Sequence, residues 1–459
     1  MKEQKRRMER FSPYDHTGME QHLEKMAAEG WLLESIRPHA WVYRRIEPQK
    51  LHFAVTYYPK ASEFDPEPSE EQKIYQDYSA HTGWEFLCSS AQMQIFCNRE
   101  KEPIPLDTEP ALEVDAIHKA MKRGYLPSML LLFVVAVLNG GLFISGLLGD
   151  PLEILSSPVR LSTGISWAVL LLLTIFELIG YYRWHHRAVI AAENGEFLDT
   201  PNHVKVQTAA LVIVGLALAY WLISIFAAGD RIMQTISILM LAYFIGLFSI
   251  VNAVKQLLKR KKASRTVNFT VTMIVDFALA ILFMVGITFG TIKAAQDGWL
   301  SSEANGLYQN GLPLTVEDLQ DVDFDEYIRA HRTSESIFIS RMTAQQFARA
   351  DADRYVNAPW MDYDLTIVKM PFLYNFCKNA VLNSRTDDVR NGEVVFTDHY
   401  VEIDAAPWLA DEAYQLYWSE SYVSRYVLCY GNRIIELNTD WDLTGEQMRI
   451  VAEKLAPVA

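Results

Sequence analysis

Five long apolar runs constrain this chain more than anything else in it. Residues 126–148, 161–182, 208–228, 232–254 and 269–292 each span 21 to 24 positions with almost no charge. As helices they would reach about 32–36 Å, enough for a hydrocarbon layer of about 30 Å. A buried helix of a soluble protein rarely stays apolar for so long. Five in succession predict a multi-pass α-helical membrane bundle, with room for soluble domains at 1–110 and 296–459 on either side of the membrane region at 111–295.

The basic residues between the runs predict an orientation. Lys119, Lys122 and Arg123 precede the first run, Arg183, Arg187 and Lys205 follow the second, and Lys255, Lys259, Arg260, Lys261, Lys262 and Arg265 follow the fourth. The alternate side has only Arg160, Arg231 and Lys293. Twelve against three predicts a cytosolic N-terminus, and five crossings then carry the C-terminus outside the cell membrane. Trp299 suits the outer interface, and Tyr181, Tyr182 and Trp184 the inner one. The first ten residues include five Lys/Arg with no apolar run behind them. That pattern argues for a solvated arm rather than a cleavable signal peptide, with contact to anionic lipid as the alternative.

Two acidic side chains fall inside the apolar runs, Glu177 in the second and Asp276 in the fifth. An ionisable group at that depth costs a few kcal/mol unless it is paired, protonated or wetted. The plain expectation is that both reach the inner interface and meet Arg183 or Lys255. Helix–helix hydrogen bonding, with Asn139, is a second reading, and a shared proton or cation site is the third. Gly140, Gly141 and Gly146 would let the first helix pack closely. Gly286 and Gly290 form a Gly-x-x-x-Gly, the pattern through which a homo-oligomer would form.

The first hundred residues read as α+β. Thr17-x-x-Glu20 has the form of a capping box, Leu23, Met26 and Ala27 give an apolar stripe, and Gly30 would stop the helix. Stretches 31–36, 41–46 and 51–58 are rich in aromatic and β-branched residues, as strands are. After an acidic loop at 62–68 the order recurs: Ser69-x-x-Gln72 opens a helix, Gly83 stops it and Trp84 begins a strand. Gly30-Trp31 and Gly83-Trp84 stand 53 residues apart, which predicts an internal helix–hairpin duplication. Trp31, Trp41, Trp84 and Phe96 are expected in its core. Cys88 and Cys97 bracket the second hairpin as expected neighbours, reduced in the cytosol.

These residues resemble a known family. Phe11 with Asp15, the run Glu24-Lys25-Met26-Ala27-Ala28-Glu29-Gly30-Trp31, the aromatic hairpin and Gly83-Trp84-Glu85 through Phe96 are similar to a bacterial domain of unknown function, number 2812. The resemblance covers about the first 100 residues. It implies a soluble domain set before several membrane helices, in genes often beside PadR-type regulators. It supplies no catalytic residues.

Excess negative charge is confined to the C-terminal part. From Asp297 onward 13 Lys/Arg face 27 Asp/Glu, whereas the first 296 residues hold 29 of each. An acidic surface argues against nucleic acid as a partner. Strands are expected at 336–341, 362–369, 394–397, 414–418, 422–430 and 433–437. Helices are expected at 314–319, 372–383 and 446–455, the last opened by Thr444-x-x-Gln447. Trp360, Trp408, Trp418, Tyr374, Tyr414 and Tyr417 with Asp362, Asp364, Asp404 and Asp411 offer either core or a groove for a cationic ligand. Asp321-x-Asp323-x-Asp325 lacks the glycine and distal glutamate of a calcium loop. Cys377 and Cys429 are candidates for a disulfide in an oxidising compartment.

No metalloprotease, phosphate-loop, nucleophile-elbow or dinucleotide motif occurs, so no catalysis, cofactor or metal is expected. His185-His186 beside Arg183 and Arg187 reads as an interfacial basic cluster. The expected function is signalling or regulation: an outer domain meets a cue, and an inner domain engages a cytosolic regulatory protein across the lipid bilayer. The alternative is a transporter or transporter accessory subunit using Glu177 and Asp276.

Overall fold

A computed structural model describes the chain apart from residues 1–2, 10, 38–39, 201–203, 228–230, 297–311, 323–326, 349–357, 384–386, 391–392, 419 and 458–459. Trp299, Asp323 and Asp325 lie outside the described residues. The chain divides into two compact units. One comprises Met1–Asn139, Ser166–Ala219 and Ile238–Ile287, the other Gly140–Ile165, Tyr220–Ser237 and Thr288–Ala459.

The first unit begins with strand β1 (Gln4–Arg7), helix α1 (His16–Ala28) and strands β2 (Trp31–Arg37) and β3 (Ala40–Arg45). It continues with β4 (His52–Tyr57), α2 (Glu70–His81), β5 (Glu85–Ser90) and β6 (Met93–Asn98). Both runs are strand–helix–strand–strand, and both make a three-stranded antiparallel sheet with the last strand central, in the orders β1-β3-β2 and β4-β6-β5. The register repeats as well. Leu32↔Arg44 becomes Glu85↔Cys97, Leu33↔Tyr43 becomes Phe86↔Phe96, and the shift between Leu33 and Ser35 returns between Phe86 and Cys88, all displaced by 53 residues. Gly30 and Gly83 end their helices at φ of 84° and 85°, a conformation that any Cβ would strain. The pairing of the leading strands is displaced by only 49, from Gln4↔Arg44 to Phe53↔Cys97. The difference is taken up by a longer connection into α2, through the acidic loop.

Several expectations change here. The basic start is not a free arm, because β1 pairs with β3 along its length. Asp15, not Thr17, caps α1 by accepting from the Gly18 N–H, and Glu20 instead accepts from the Val55 N–H on the open edge of β4. At α2 the Ser69–Gln72 capping box forms in full. Trp41, Trp84 and Phe96 are buried as expected. Trp31 is partly buried and packed against the core, with the Lys5 ammonium 5.1 Å and the Arg45 guanidinium 4.9 Å from its ring centroid.

An amphipathic helix, α3 (Pro110–Arg123), follows, burying Ile117, Ala120 and Met121. Then come α4 (Tyr125–Gly149), the short α5 (Pro151–Ser156), α6 (Pro158–Glu193), α7 (Val204–Ala227), α8 (Arg231–Arg260) and α9 (Arg265–Gln296). All but α5 are long and apolar enough to span a membrane, making five such helices among the described residues. Their outward positions carry large apolar side chains, Leu142, Leu172, Phe277 and Phe289 among them, as lipid-facing surfaces require. The close approach of α4 and α6 occurs at Gly164, where a Cβ would meet the Phe143 ring at 2.4 Å. Gly140, Gly141, Gly286 and Gly290 have open space beside them instead.

The second unit is built on a seven-stranded antiparallel sheet. Its strands are β7 (Tyr327–Glu335), β8 (Ile339–Ala348), β9 (Met361–Val368), β12 (His399–Ile403), β13 (Glu412–Trp418), β14 (Ser421–Tyr430) and β15 (Arg433–Thr439), in the order β12-β13-β14-β15-β9-β8-β7. Helix α10 (Tyr374–Leu382) follows β9, the pair β10 (Asp387–Arg390) and β11 (Glu393–Thr397) stands apart, and α11 (Gly445–Leu455) ends the chain behind its Thr444–Gln447 capping box. Successive residues serve opposite faces. Leu428, Ile435 and Leu437 join Val451 and Leu455 of α11 in one core. Val427, Cys429 and Ile434 join Cys377 and Val381 of α10 in the other, together with Leu152 and Leu155 of α5 and Leu161 of α6. The expected strand at 336–341 is partly a turn, because the Ser336 Oγ accepts the Phe338 and Ile339 N–H groups and closes the β7–β8 hairpin.

Candidate functional site

Helix α6 presents one face at Glu177, Tyr181, Trp184 and Ala188, positions three or four residues apart. Tyr181, Trp184 and Ala188 are 0–4 % exposed and belong to the same core as Leu23, Met26, Leu33 and Ile95 of the N-terminal sheets and helices. A helix apolar enough to span a membrane therefore ends inside the core of a sheet-containing domain.

Aromatic rings make that joint. Tyr14 stacks on Trp184 with centroids 5.4 Å apart and meets Tyr181 edge-on at 5.3 Å. The absence of a side chain at Gly180 admits the Tyr14 hydroxyl, which would lie 3.1 Å from a Cβ there. The Tyr181 hydroxyl and the His118 Nδ1 of α3 are 2.6 Å apart, and His118 stacks on His185 at 4.0 Å. His185 is thus a stacking partner, and among the described residues no three His, Cys, Asp or Glu side chains gather as a metal site would need.

Directional bonds then fix the joint. Glu177 Oε2 accepts from the Ser12 hydroxyl at 3.1 Å and from the Tyr125 hydroxyl at 2.8 Å, tying the segment before α1 and the start of α4 to one carboxylate. Beyond the helix, Thr200 donates its hydroxyl to Asp15 Oδ1 at 2.5 Å and its N–H to Thr17 Oγ1 at 2.7 Å. Hydroxyl bonds to a carboxylate are about twice as strong as neutral ones. They set the rotation and height of α6 against α1, which apolar packing alone leaves loose.

The other expected residues lie elsewhere. Lys255 is taken by Glu63 at 3.0 Å and meets neither Glu177 nor Asp276. Asp276 is partly buried and makes no hydrogen bond or ion pair among the described residues. Asn139 bonds back to Val135 of its own helix. Cys377 and Cys429 enter one apolar cluster, but as free thiols. Burial pushes the Cys377 thiol up to about 11, which leaves it unreactive. Cys88 and Cys97 are free and buried too, paired across the strands with Ile95 and Glu85 rather than with each other.

The acids of the expected groove for a cationic ligand already have partners within the domain. Asp364 pairs with Arg341 at 2.6 Å, Asp362 accepts from Asn438, Asp404 from the Ala406 N–H and Asp411 from the Gly431 N–H. Trp408 is core, while Trp360 and Trp418 are exposed.

A second joint went unexpected. In the other unit Ser336 donates to the Leu155 carbonyl at 2.5 Å, and Arg341 reaches Glu153 at 3.4 Å, fastening the sheet to α5. Its sequence signal was Asp150-Pro151, a cap residue before a proline, which opens α5.

Residues 15–133 match the family described as Protein of unknown function (DUF2812). The match runs past the hundred residues expected, through α3 and into α4. Searches of curated proteins and of solved structures returned no match.

Proposed function

We propose that the protein is a membrane signalling or regulatory protein that relays an extracytoplasmic cue, met by the C-terminal domain, to a cytosolic partner of the N-terminal domain. One observation carries this reading: α6 supplies Leu161 to the C-terminal core and Tyr181, Trp184 and Ala188 to the N-terminal core. A cue that shifts the packing at one end of a continuous helix has a covalent route to the other. A preference of a few kcal/mol for one packing suffices to move the population. The excess of basic residues before the first apolar run and after the second and fourth supports a cytosolic N-terminal domain. Among partners, the resemblance to proteins encoded beside PadR-type regulators makes such a regulator the first to test.

Transport has no comparable support. Glu177 is held by Ser12 and Tyr125, and no hydrogen bond or ion pair among the described residues joins it to Asp276.

The test is hydrogen exchange on the full chain in lipid nanodiscs. Arg341→Ala loosens the C-terminal joint, and a relay predicts altered protection at residues 12–18 and 110–123. Loosening confined to the C-terminal sheet, with the N-terminal amides unmoved, ends the proposal. So does finding both termini accessible from one face of the membrane in intact cells.

A further inference from the structure

A cavity of about 110 Å³ opens between β4, β6, α2 and α3 in the N-terminal domain. Thr56, Tyr75, Gln94, Asp107, Glu113 and Ile117 line it. Two groups there are left over besides the Thr56 hydroxyl. Gln94 is 1 % exposed; its Oε1 accepts from Gln76, but its Nε2 donor has no partner. Asp107 makes no hydrogen bond or ion pair among the described residues, and burial beside Glu113 pushes its carboxyl up to about 6. Glu113 has its own cation, His16 Nε2 at 2.6 Å.

We infer that this cavity binds a small primary amine bearing a nearby oxygen acceptor, its ammonium held by Asp107 beside Glu113 and its oxygen by the Gln94 amide. A buried donor without a partner is costly, and a carboxylate drawn partly out of water beside a second carboxylate is costly too. One ligand carrying both complements would relieve both at once. A bare metal ion would leave the amide N–H unsatisfied. The volume equals the share of about four waters, which limits the ligand to roughly that many heavy atoms. The site belongs to the domain itself and stands whether or not the relay does.

Calorimetric titration of the full chain in nanodiscs, with three probes, tests the inference. Ethanolamine has both groups, ethylamine only the cation, and ethylene glycol only the oxygens. Saturable ethanolamine binding is expected, weakened roughly tenfold or more in Asp107→Asn. Ethylamine should bind several-fold more weakly than ethanolamine, and Gln94→Leu should abolish that difference. Unchanged hydrogen exchange of α3 in both variants shows that they remain folded. A cavity that holds only water gives no saturable binding of any probe and overturns the inference. Ethanolamine binding unaffected by Asp107→Asn overturns it too.

Discussion

The two sheet-containing domains both seat part of the long apolar helices or their connections in their cores, yet by different means. In the N-terminal domain the joint is aromatic and polar: Tyr14, Tyr181 and Trp184 pack together while Glu177 and Asp15 collect hydroxyl donors. In the C-terminal domain it is aliphatic, with Leu152, Leu155 and Leu161 against Ile339, Val368 and Val427, and a single polar edge at Ser336 and Arg341. Aliphatic contact is non-directional and tolerates small slippage. Hydrogen bonds to a fixed carboxylate do not. The N-terminal joint therefore fixes helix rotation, and the C-terminal joint mainly fixes proximity.

Truncating each joint gives the largest effects. Trp184→Ala should destabilise the N-terminal domain by about 3–5 kcal/mol, and Leu155→Ala the C-terminal domain by about 2–5 kcal/mol. The four buried thiols report the outcome, because each domain holds two. Pulse labelling in denaturant should expose Cys88 and Cys97 early in the first variant, and Cys377 and Cys429 early in the second. If Trp184→Ala left Cys88 and Cys97 as protected as before, the aromatic joint would be decoration rather than support.

A smaller effect separates the domains by pH. Burial, with the charges of Glu113 and Glu24, pushes Glu20 up to about 7, against the pull of His16 and the Val55 N–H. Burial and Asp364 push Glu436 of β15 up to about 7, against Arg341 and Arg425. A carboxylate raised on folding favours the folded state most below its unfolded value near 4.5, and that advantage is lost as pH rises to 7. Glu20→Gln should therefore stabilise the N-terminal domain by about 1–3 kcal/mol at pH 8 and have little effect near pH 4. Glu436→Gln should do the same for the C-terminal domain alone. Measured in each domain by the same thiols, a gain that is equal at both pH values would remove burial as the cause.

How much of this was legible in the sequence depends on the range of the signal. Twenty apolar residues in a row need no partner to be recognised, and neither does a helix-ending glycine before tryptophan, met twice. Edge strands were harder. β1 is basic, β7 carries Arg329, His331 and Arg332, and charge on an edge reads as loop. The joint at Glu177 was half visible: the carboxylate stood out within an apolar run. Its partner Ser12 lies 165 residues away, and no local pattern encodes that pairing. The aspartates of the C-terminal domain misled for the opposite reason, since backbone N–H groups, Asn438 and Arg341 already bond to them.

The smallest effect concerns the acidic loop, which has no equal in the first repeat. Glu63 meets Lys255 at 3.0 Å, Glu67 meets Lys262 at 2.5 Å and Asp65 lies 3.9 Å from Arg265, while Asn268 donates to the Phe64 carbonyl. This clasp fastens the second repeat to the α8–α9 turn, as the aromatic joint fastens the first to α6. Its ion pairs are largely solvated, and each contributes little. Raising salt from about 0.1 M to about 1 M shortens the screening length from about 10 Å to about 3 Å. Hydrogen exchange at residues 62–68 should then quicken a few-fold, and Glu63→Gln should reproduce part of that change at low salt. The Tyr14–Trp184 joint, held by rings and buried hydroxyl bonds, should not respond. A salt response of equal size at both places would mean that the two repeats are fastened by the same forces after all, and that the clasp is no separate attachment.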